Sequence, residues 1–148
     1  MRRGREPLAK KPARVQYAVL PLRGEGCATE ILMVTSRETK RWVIPKGWPQ
    51  KKLAPHEAAA REAWEEAGVT GTVGTLPIGE FKYEKRLRNG KTRLCRVLVF
   101  HMRVDHEHDY WPEKRQRERT WFTPAAAALA VQEPGLTKLL LEIAAPPP

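Results

Sequence analysis

The feature that most restricts the fold of this chain is the segment PHEAAAREAWEEAG at residues 55–68. Pro55 suits the first turn of a helix and Gly68 suits a left-handed C-cap, so the segment predicts a helix over about residues 55–67. Small residues and one tryptophan share one side of this helix: Ala60, Ala63, Trp64 and Ala67. Such a narrow apolar stripe favours close packing on a β-sheet. The segment therefore predicts a helix that lies on a sheet.

Three carboxylates crowd another side of the same helix. Because residues three and four apart share a face, Glu62 lies beside both Glu65 and Glu66. Like charges at this spacing repel one another, and the helix dipole also disfavours negative charge in the last turns. A divalent cation relieves both effects, and Mg²⁺ prefers hard oxygen ligands of this kind. Taken alone, the same pattern is also typical of a solvated acidic face.

The whole chain has the size and composition of one globular domain. It has 148 residues, of which 41% are hydrophobic and 30% are charged. No apolar segment approaches the roughly 18 residues of a membrane span, so no contact with a membrane is expected. The basic start lacks a following apolar stretch, and the only cysteines are Cys27 and Cys95. These features predict reduced thiols and a cytoplasmic location.

The formal net charge of +10 and the pI near 10.0 indicate attraction to polyanions. Nucleic acid, nucleotides and highly phosphorylated small molecules all satisfy this requirement. The basic residues concentrate in three runs, at residues 1–14, 81–96 and 113–119. Each run is equally well interpreted as a solvated face that maintains solubility.

Strand and helix patterns surround the acidic helix. Strands are predicted at residues 14–22, 29–36 and 41–45, and long antiparallel strands at 70–87 and 91–104 flank the hairpin signal Asn89-Gly90. A short strand at 119–122 precedes a helix with Thr123 as N-cap and Pro124 in the first turn, and a last short helix covers residues 136–143. The pattern predicts an α/β layered domain with a mixed sheet over residues 14–144, a basic arm at 1–13 and a Pro-rich tail at 145–148.

Residues 47–69, GWPQKKLAPHEAAAREAWEEAGV, resemble the Nudix hydrolase signature. That signature reads Gly, five residues, Glu, seven residues, Arg-Glu, an apolar residue, any residue, Glu-Glu, any residue, Gly and an apolar residue. The matching positions are Gly47, Arg61, Glu62, Ala63, Glu65, Glu66, Gly68 and Val69. Leu53 departs from the pattern, because it stands where the family usually has a Glu that supports the loop and the box arginine. Arg61 can pair instead with Glu57 or with Glu65, each four residues away.

The resemblance implies a Nudix-type α/β/α sandwich with a mixed β-sheet and a metal-dependent pyrophosphohydrolase. The implied cofactor is Mg²⁺, with Mn²⁺ as an alternative. Glu62 and Glu66 are the implied metal ligands, together with the carbonyl of Gly47. Glu65 is implied as a ligand or as the general base, and Arg61 completes the catalytic set.

Two further segments, RWVIPKG and WPEKRQRERTWF, resemble the diphosphoinositol polyphosphate phosphohydrolase branch, whose relatives also cleave long dinucleoside polyphosphates. The implied partner is a phosphorylated small molecule. Arg14, Lys46 and Arg117 are the candidates for binding its phosphates, because such a substrate needs cations around them; the alternative for each is solvated surface. Glu113 or Glu118 could supply one more carboxylate, with surface salt bridging as the alternative.

Two other functions stay open. One is an RNA 5′-pyrophosphohydrolase, in which the basic surface binds the transcript backbone. The other is a non-catalytic Nudix module that binds nucleotide or RNA, an alternative suggested by Leu53. The sequence leaves the oligomeric state open.

Overall fold

The computed structural model describes residues 12–144, so residues 1–11 of the predicted arm and the predicted tail lie outside the described residues. One sheet contains eight strands: β1 Arg14–Arg23, β2 Glu30–Thr35, β3 Trp42–Val43, β4 Lys46–Gly47, β5 Val69–Val73, β6 Gly79–Arg86, β7 Thr92–Glu107 and β8 Arg119–Phe122. The helices are α1 Pro55–Glu62, α2 Pro124–Ala130 and α3 Pro134–Ala144. No helix among these residues combines the length and the apolar character needed to cross a membrane.

The sheet is mixed because its two central strands run parallel while their other neighbours run antiparallel. β1 pairs in parallel with β7, with Ala18 opposite Val99. β1 also pairs antiparallel with β2 and β4. β7 pairs antiparallel with β6 along its first half and with β5 along its last part. The predicted mixed sheet is therefore confirmed.

The helices cover both faces of the sheet. Successive side chains of a strand point to opposite faces, so neighbouring residues of β1 enter different cores. Val19 packs with three alanines of the acidic helix, Ala59, Ala63 and Ala67, while Ala60 of the predicted stripe is only partly buried and Trp64 lies outside this core. Leu20 packs on the opposite side with residues of α3: Leu136, Leu139 and Leu140. The arrangement is an α/β/α sandwich, as predicted.

One predicted strand is divided in the structure. Residues 70–87 form β5 and β6, separated by residues 74–78, because Gly74 and Pro77 interrupt the regular pattern. Both strands still pair with β7, which is long enough to hold them one after the other. The predicted hairpin is confirmed, since β6 and β7 join through a turn in which Gly90 has φ +82° and its N–H bonds to the Leu87 carbonyl at 3.0 Å.

The acidic helix has the predicted span but not the predicted geometry at its end. α1 continues into a π-helical turn over Ala63–Ala67, and Gly68 ends it in the left-handed conformation with φ +67°. Such widened turns occur frequently at functional sites. Here the wide turn holds Glu65 and Glu66.

We expect Gly68→Ala to destabilise the protein more than Gly90→Ala does. Both glycines have positive φ, which costs about 1–2 kcal/mol for alanine. A Cβ at Gly68 would also lie 2.6 Å from the Trp111 ring, whereas a Cβ at Gly90 would meet nothing within 4 Å. Urea unfolding of both variants measures the difference. Equal losses would contradict the close packing of Trp111 on the helix end.

Candidate active site

The site begins where the β4 loop meets the acidic helix. β4 pairs with β1, with Lys46 opposite Ala18 and Gly47 opposite Tyr17. The Glu62 carboxylate occupies the space where a Cβ at position 47 would lie. A side chain on residue 47 would displace this carboxylate, so glycine allows the loop and the helix to approach each other.

Glu62 and Glu66 form a buried pair of carboxylates, 9% and 7% exposed. The pKa of Glu62 is raised to about 8, mainly by burial and then by the charges of Glu66 and Glu65. Burial also raises the pKa of Glu66 to about 7, although Arg117 and Lys46 lower it. Two buried acids with raised pKa values therefore lie one helical turn apart, and Glu62 lies directly against Gly47.

Arg117 connects these acids to the sheet. Its Nη2 lies 3.6 Å from Glu66 Oε2, its Nε donates to Glu113 Oε1 at 2.9 Å, and its Nη1 donates to the Thr35 carbonyl at 3.0 Å. Only 9% of the side chain is exposed. All these contacts are to protein acceptors, so the structure places Arg117 as a positioning residue for Glu66 and Glu113. Its predicted contact with a phosphate stays a prediction.

Of the two further acids considered, Glu113 lies at the site and Glu118 does not. The Glu113 N–H donates to the Glu65 carbonyl at 3.0 Å, and the Glu113 charge raises the pKa of both Glu62 and Glu66. Glu118 is exposed, and its N–H bonds to Thr35 Oγ1 at 2.9 Å. Glu113 is therefore the downstream carboxylate that the fold brings to the site.

Glu65 lies at the rim, where it pairs with Arg61. Arg61 Nε is 3.0 Å from Glu65 Oε1, and the side chains are 57% and 30% exposed. The other proposed partner, Glu57, accepts the Ala54 N–H at 2.8 Å and so caps the helix. Within residues 12–144, no three His, Cys, Asp or Glu side chains gather into a ready-made metal-binding group. The described site is thus an inner pair, Glu62 and Glu66, with Glu65 beside it.

The two remaining predicted cations occupy different positions. The Lys46 ammonium lies 5.3 Å from the Tyr83 ring centroid, on the α2–α3 side of the sheet. Burial lowers the pKa of Lys46, and the charges of Glu66 and Glu133 oppose this effect. Its backbone hydrogen bond to Glu66 lowers the pKa of that acid. The Arg14 guanidinium is exposed and stacks 4.2 Å over the Trp48 ring. The predicted roles of Lys46 and Arg14 in substrate binding stay predictions.

Sequence reasoning missed Trp111. Its indole N–H donates to the Glu66 carbonyl at 3.1 Å, and its ring lies against Gly68. The Arg119 guanidinium stacks 4.1 Å from the centroid of this ring and donates to the Ala67 carbonyl at 2.9 Å. Trp111 therefore fixes the π-helical turn that holds Glu65 and Glu66. The only signal in the sequence was its place at the start of the segment WPEKRQRERTWF.

Comparison with known sequences places this geometry in a family. The NUDIX domain model matches residues 12–142. Nudix hydrolase 12, mitochondrial, from Arabidopsis thaliana is 37% identical over 97 residues, which cover 64% of this chain and 48% of that protein. Diphosphoinositol polyphosphate phosphohydrolase 3-alpha from Mus musculus is 34% identical over 107 residues, which cover 71% of this chain and 61% of that protein. The chain spans about half the length of several curated relatives that it matches.

Solved structures share the fold at low sequence identity. The E. coli dihydroneopterin triphosphate pyrophosphohydrolase is 18% identical with a TM-score of 0.67, over 91% of this chain and 100% of that chain. A C. elegans Ap4A hydrolase in a binary complex is 18% identical with a TM-score of 0.65, over 89% of this chain and 96% of that chain. These similarities support the sandwich architecture. Because the family match also extends over nearly all the described residues, the chain belongs to the Nudix family.

Proposed function

We propose that this chain is a Mg²⁺-dependent pyrophosphohydrolase, with Mn²⁺ as an alternative metal. The observation that carries the proposal is the buried carboxylate pair Glu62 and Glu66, of which Glu62 lies against Gly47. Two buried acids that repel each other are stabilised when a cation lies between them. Hard carboxylate oxygens are also the donors that Mg²⁺ prefers.

The donor set fits a divalent cation. Glu62 and Glu66 would hold it, with the Gly47 carbonyl from the loop, and Glu65 is proposed as a further ligand or as the general base. When bound, Mg²⁺ neutralises phosphoryl charge and lowers the pKa of a water molecule. The pKa of Glu62 is raised mainly by burial. The surrounding protein groups therefore do not compensate the negative charge of the ionised Glu62 carboxylate.

The surrounding residues fix the acids in place. Arg117 holds Glu66 and Glu113 from the sheet side, and Arg61 holds Glu65 at the rim. Glu65 remains partly exposed, so its carboxylate is accessible to take a proton from a water molecule that attacks phosphorus. A non-catalytic binding module would not need this arrangement of buried acids beside an accessible one.

The proposed substrates are diphosphoinositol polyphosphates or dinucleoside polyphosphates. The first class is supported by the identity to the mouse phosphohydrolase 3-alpha, and the second by the fold shared with the Ap4A hydrolase. The net charge of +10 favours both, since each substrate carries many phosphates. Arg14 and Lys46 are the proposed contacts to phosphates beyond the metal.

We expect hydrolysis to depend on the carboxylate pair. Glu62→Gln and Glu66→Gln remove a charged ligand each, and loss of about a hundredfold or more in kcat is expected from the lost charge stabilisation. The matched control is Glu80→Gln, because Glu80 is exposed and pairs with Arg96 on β7. The measurement is product analysis with Mg²⁺ and three substrates: diphosphoinositol pentakisphosphate, diadenosine hexaphosphate and triphosphorylated RNA.

Each outcome of this panel has one interpretation. Turnover of a small-molecule polyphosphate that is lost in both acid variants supports the proposal. Turnover of RNA alone would replace the proposed substrates by transcript ends. Salt-sensitive binding without any turnover under Mg²⁺ or Mn²⁺ would overturn the proposal in favour of a binding module.

We also expect the metal-free protein to lose stability as the pH rises. The folded-state pKa values of Glu62 and Glu66 lie above the usual value of 4.5, at about 8 and about 7. The folded state therefore binds more protons than the unfolded state between these limits, and the free energy of unfolding falls as the pH rises from about 4.5 to about 8. Added Mg²⁺ reverses this loss, because it compensates the two charges.

Thermal unfolding in EDTA and in Mg²⁺, across this pH range, measures the effect. Glu62→Gln removes one buried charge, so its metal-free stability should exceed that of the wild type at the alkaline end by about 1 kcal/mol or more. The two proteins should converge at the acid end, where Glu62 is protonated in the wild type. A metal-free wild type that becomes more stable as the pH rises would contradict the proposed crowding.

A further inference from the structure

Two histidines at the end of β7 lie side by side, and none of the roles described above uses them. The ring centroids of His106 and His108 are 4.4 Å apart, with an angle of 58° between the ring planes. Alternate residues of an extended chain point to the same face, so the spacing of two positions directs both imidazoles to one side. His106 is exposed and His108 is partly buried. We call these two residues the histidine pair.

The pairing of β5 with β7 fixes the backbone of the histidine pair. Thr70 lies opposite His106, and the register of the two strands shifts between Thr70 and Gly71. Such bulges redirect side chains and are frequent beside functional sites. Just beyond β7, the His108 N–H donates to the Gly68 carbonyl at 2.8 Å. Both histidines are therefore held against β5 by the sheet.

The His108 ring is oriented by two side chains. Its Nε2 lies 3.0 Å from Thr70 Oγ1, and the Trp64 ring packs against it in a T-shaped contact with the centroids 4.9 Å apart. When Nε2 donates its hydrogen to the hydroxyl, the lone pair of the neutral imidazole lies on Nδ1. A hydrogen bond from the second ring nitrogen is the usual way in which a metal-binding histidine is oriented. Thr70 and Trp64 thus prepare His108 Nδ1 as a donor.

Imidazole nitrogens select other cations than carboxylates do. Zn²⁺, Cu²⁺ and Ni²⁺ bind imidazole well, whereas Mg²⁺ prefers oxygen donors. Two imidazoles that the fold already holds together bind one cation more tightly than two separate ones, because the second contact forms within the same molecule. The histidine pair therefore differs in chemistry from the proposed Mg²⁺ ligands Glu62 and Glu66.

We propose that the histidine pair binds a divalent transition-metal cation of the class that prefers imidazole, such as Zn²⁺ or Cu²⁺. His106 and His108 are the two protein ligands. Within residues 12–144, no third His, Cys, Asp or Glu is grouped with them, so water completes the coordination. Thr70 is a positioning residue, because it contacts His108. The inference goes beyond the proposed hydrolysis and does not depend on it.

Calorimetric titration of the untagged protein with Zn²⁺ tests the site, in excess Mg²⁺ that competes for the carboxylates. The main variant is His106→Gln, because His106 is exposed and its removal leaves the core intact. We expect this variant to lose about tenfold or more in Zn²⁺ affinity. The matched control, His56→Gln in α1, should bind Zn²⁺ as the wild type does. Equal affinity in the wild type and His106→Gln would overturn the proposal, as would a wild type that binds no Zn²⁺.

Substitutions at Thr70 test the orientation of His108. Thr70→Val keeps the size of the side chain but removes the hydroxyl, whereas Thr70→Ser keeps the hydroxyl. We expect Thr70→Val to weaken Zn²⁺ binding by about tenfold and Thr70→Ser to retain it, as for other groups that orient a metal-binding histidine. Equal Zn²⁺ affinity in these two variants would overturn the assignment of His108 Nδ1 as a ligand.

Electron paramagnetic resonance with one equivalent of Cu²⁺ identifies the donor atoms, because nitrogen ligands split the copper signal. We expect the wild type and His56→Gln to show coupling to two imidazole nitrogens, and His106→Gln to lose it. A wild-type spectrum with oxygen ligands alone would place the cation at the carboxylates and overturn the proposal.

Discussion

The close approach of the Gly47 loop to the Glu62 carboxylate is the constraint on which the rest of the site depends. It requires a residue without a side chain at position 47, because the carboxylate fills the space of a Cβ. It also requires β4 to be held in the sheet by its pairing with β1. The result is a buried acid whose pKa is raised to about 8, mainly by burial. The close approach of loop and helix thereby buries a carboxylate whose negative charge a divalent cation would compensate.

The segment between β7 and β8 completes this arrangement from the other side. Trp111 lies under the helix end at Gly68, and Glu113 bonds to the Glu65 carbonyl. Arg117 then spans from Thr35 to Glu66. One segment thus supports the π-helical turn, supplies a downstream carboxylate and places aromatic and basic side chains beside the acids.

The sequence predicts those parts of the fold that depend on local pattern. The cap at Gly68 and the hairpin at Gly90 are read from neighbouring residues, and the structure confirms them. The predicted apolar stripe is confirmed at Ala63 and Ala67, whereas Ala59 takes the place of Trp64, whose ring lies against His108. The π-helical turn could not be predicted, because it depends on Trp111, which lies far along the chain. The division of β5 from β6, in contrast, has a local signal in Gly74 and Pro77, and the predicted strand over residues 70–87 runs through both.

In the candidate site, too, contacts between residues close in sequence were predictable. The helical spacing of Glu62 and Glu66 predicts their proximity, and Arg61 pairs with one of its two expected partners, Glu65. The direction of the Lys46 side chain was not predictable from its place in the motif, since the pairing of β4 directs it toward Tyr83. The cytoplasmic location stays a prediction.

The most direct test of the central claim is the affinity for Mn²⁺, measured by electron paramagnetic resonance, in the wild type and in Gly47→Ala. Gly90→Ala is the control, because a Cβ at Gly90 meets nothing within 4 Å. If the approach of the loop to Glu62 builds the metal site, Gly47→Ala should lose about tenfold or more in affinity while it stays folded, and the control should bind as the wild type does. Wild-type affinity in Gly47→Ala would contradict the account.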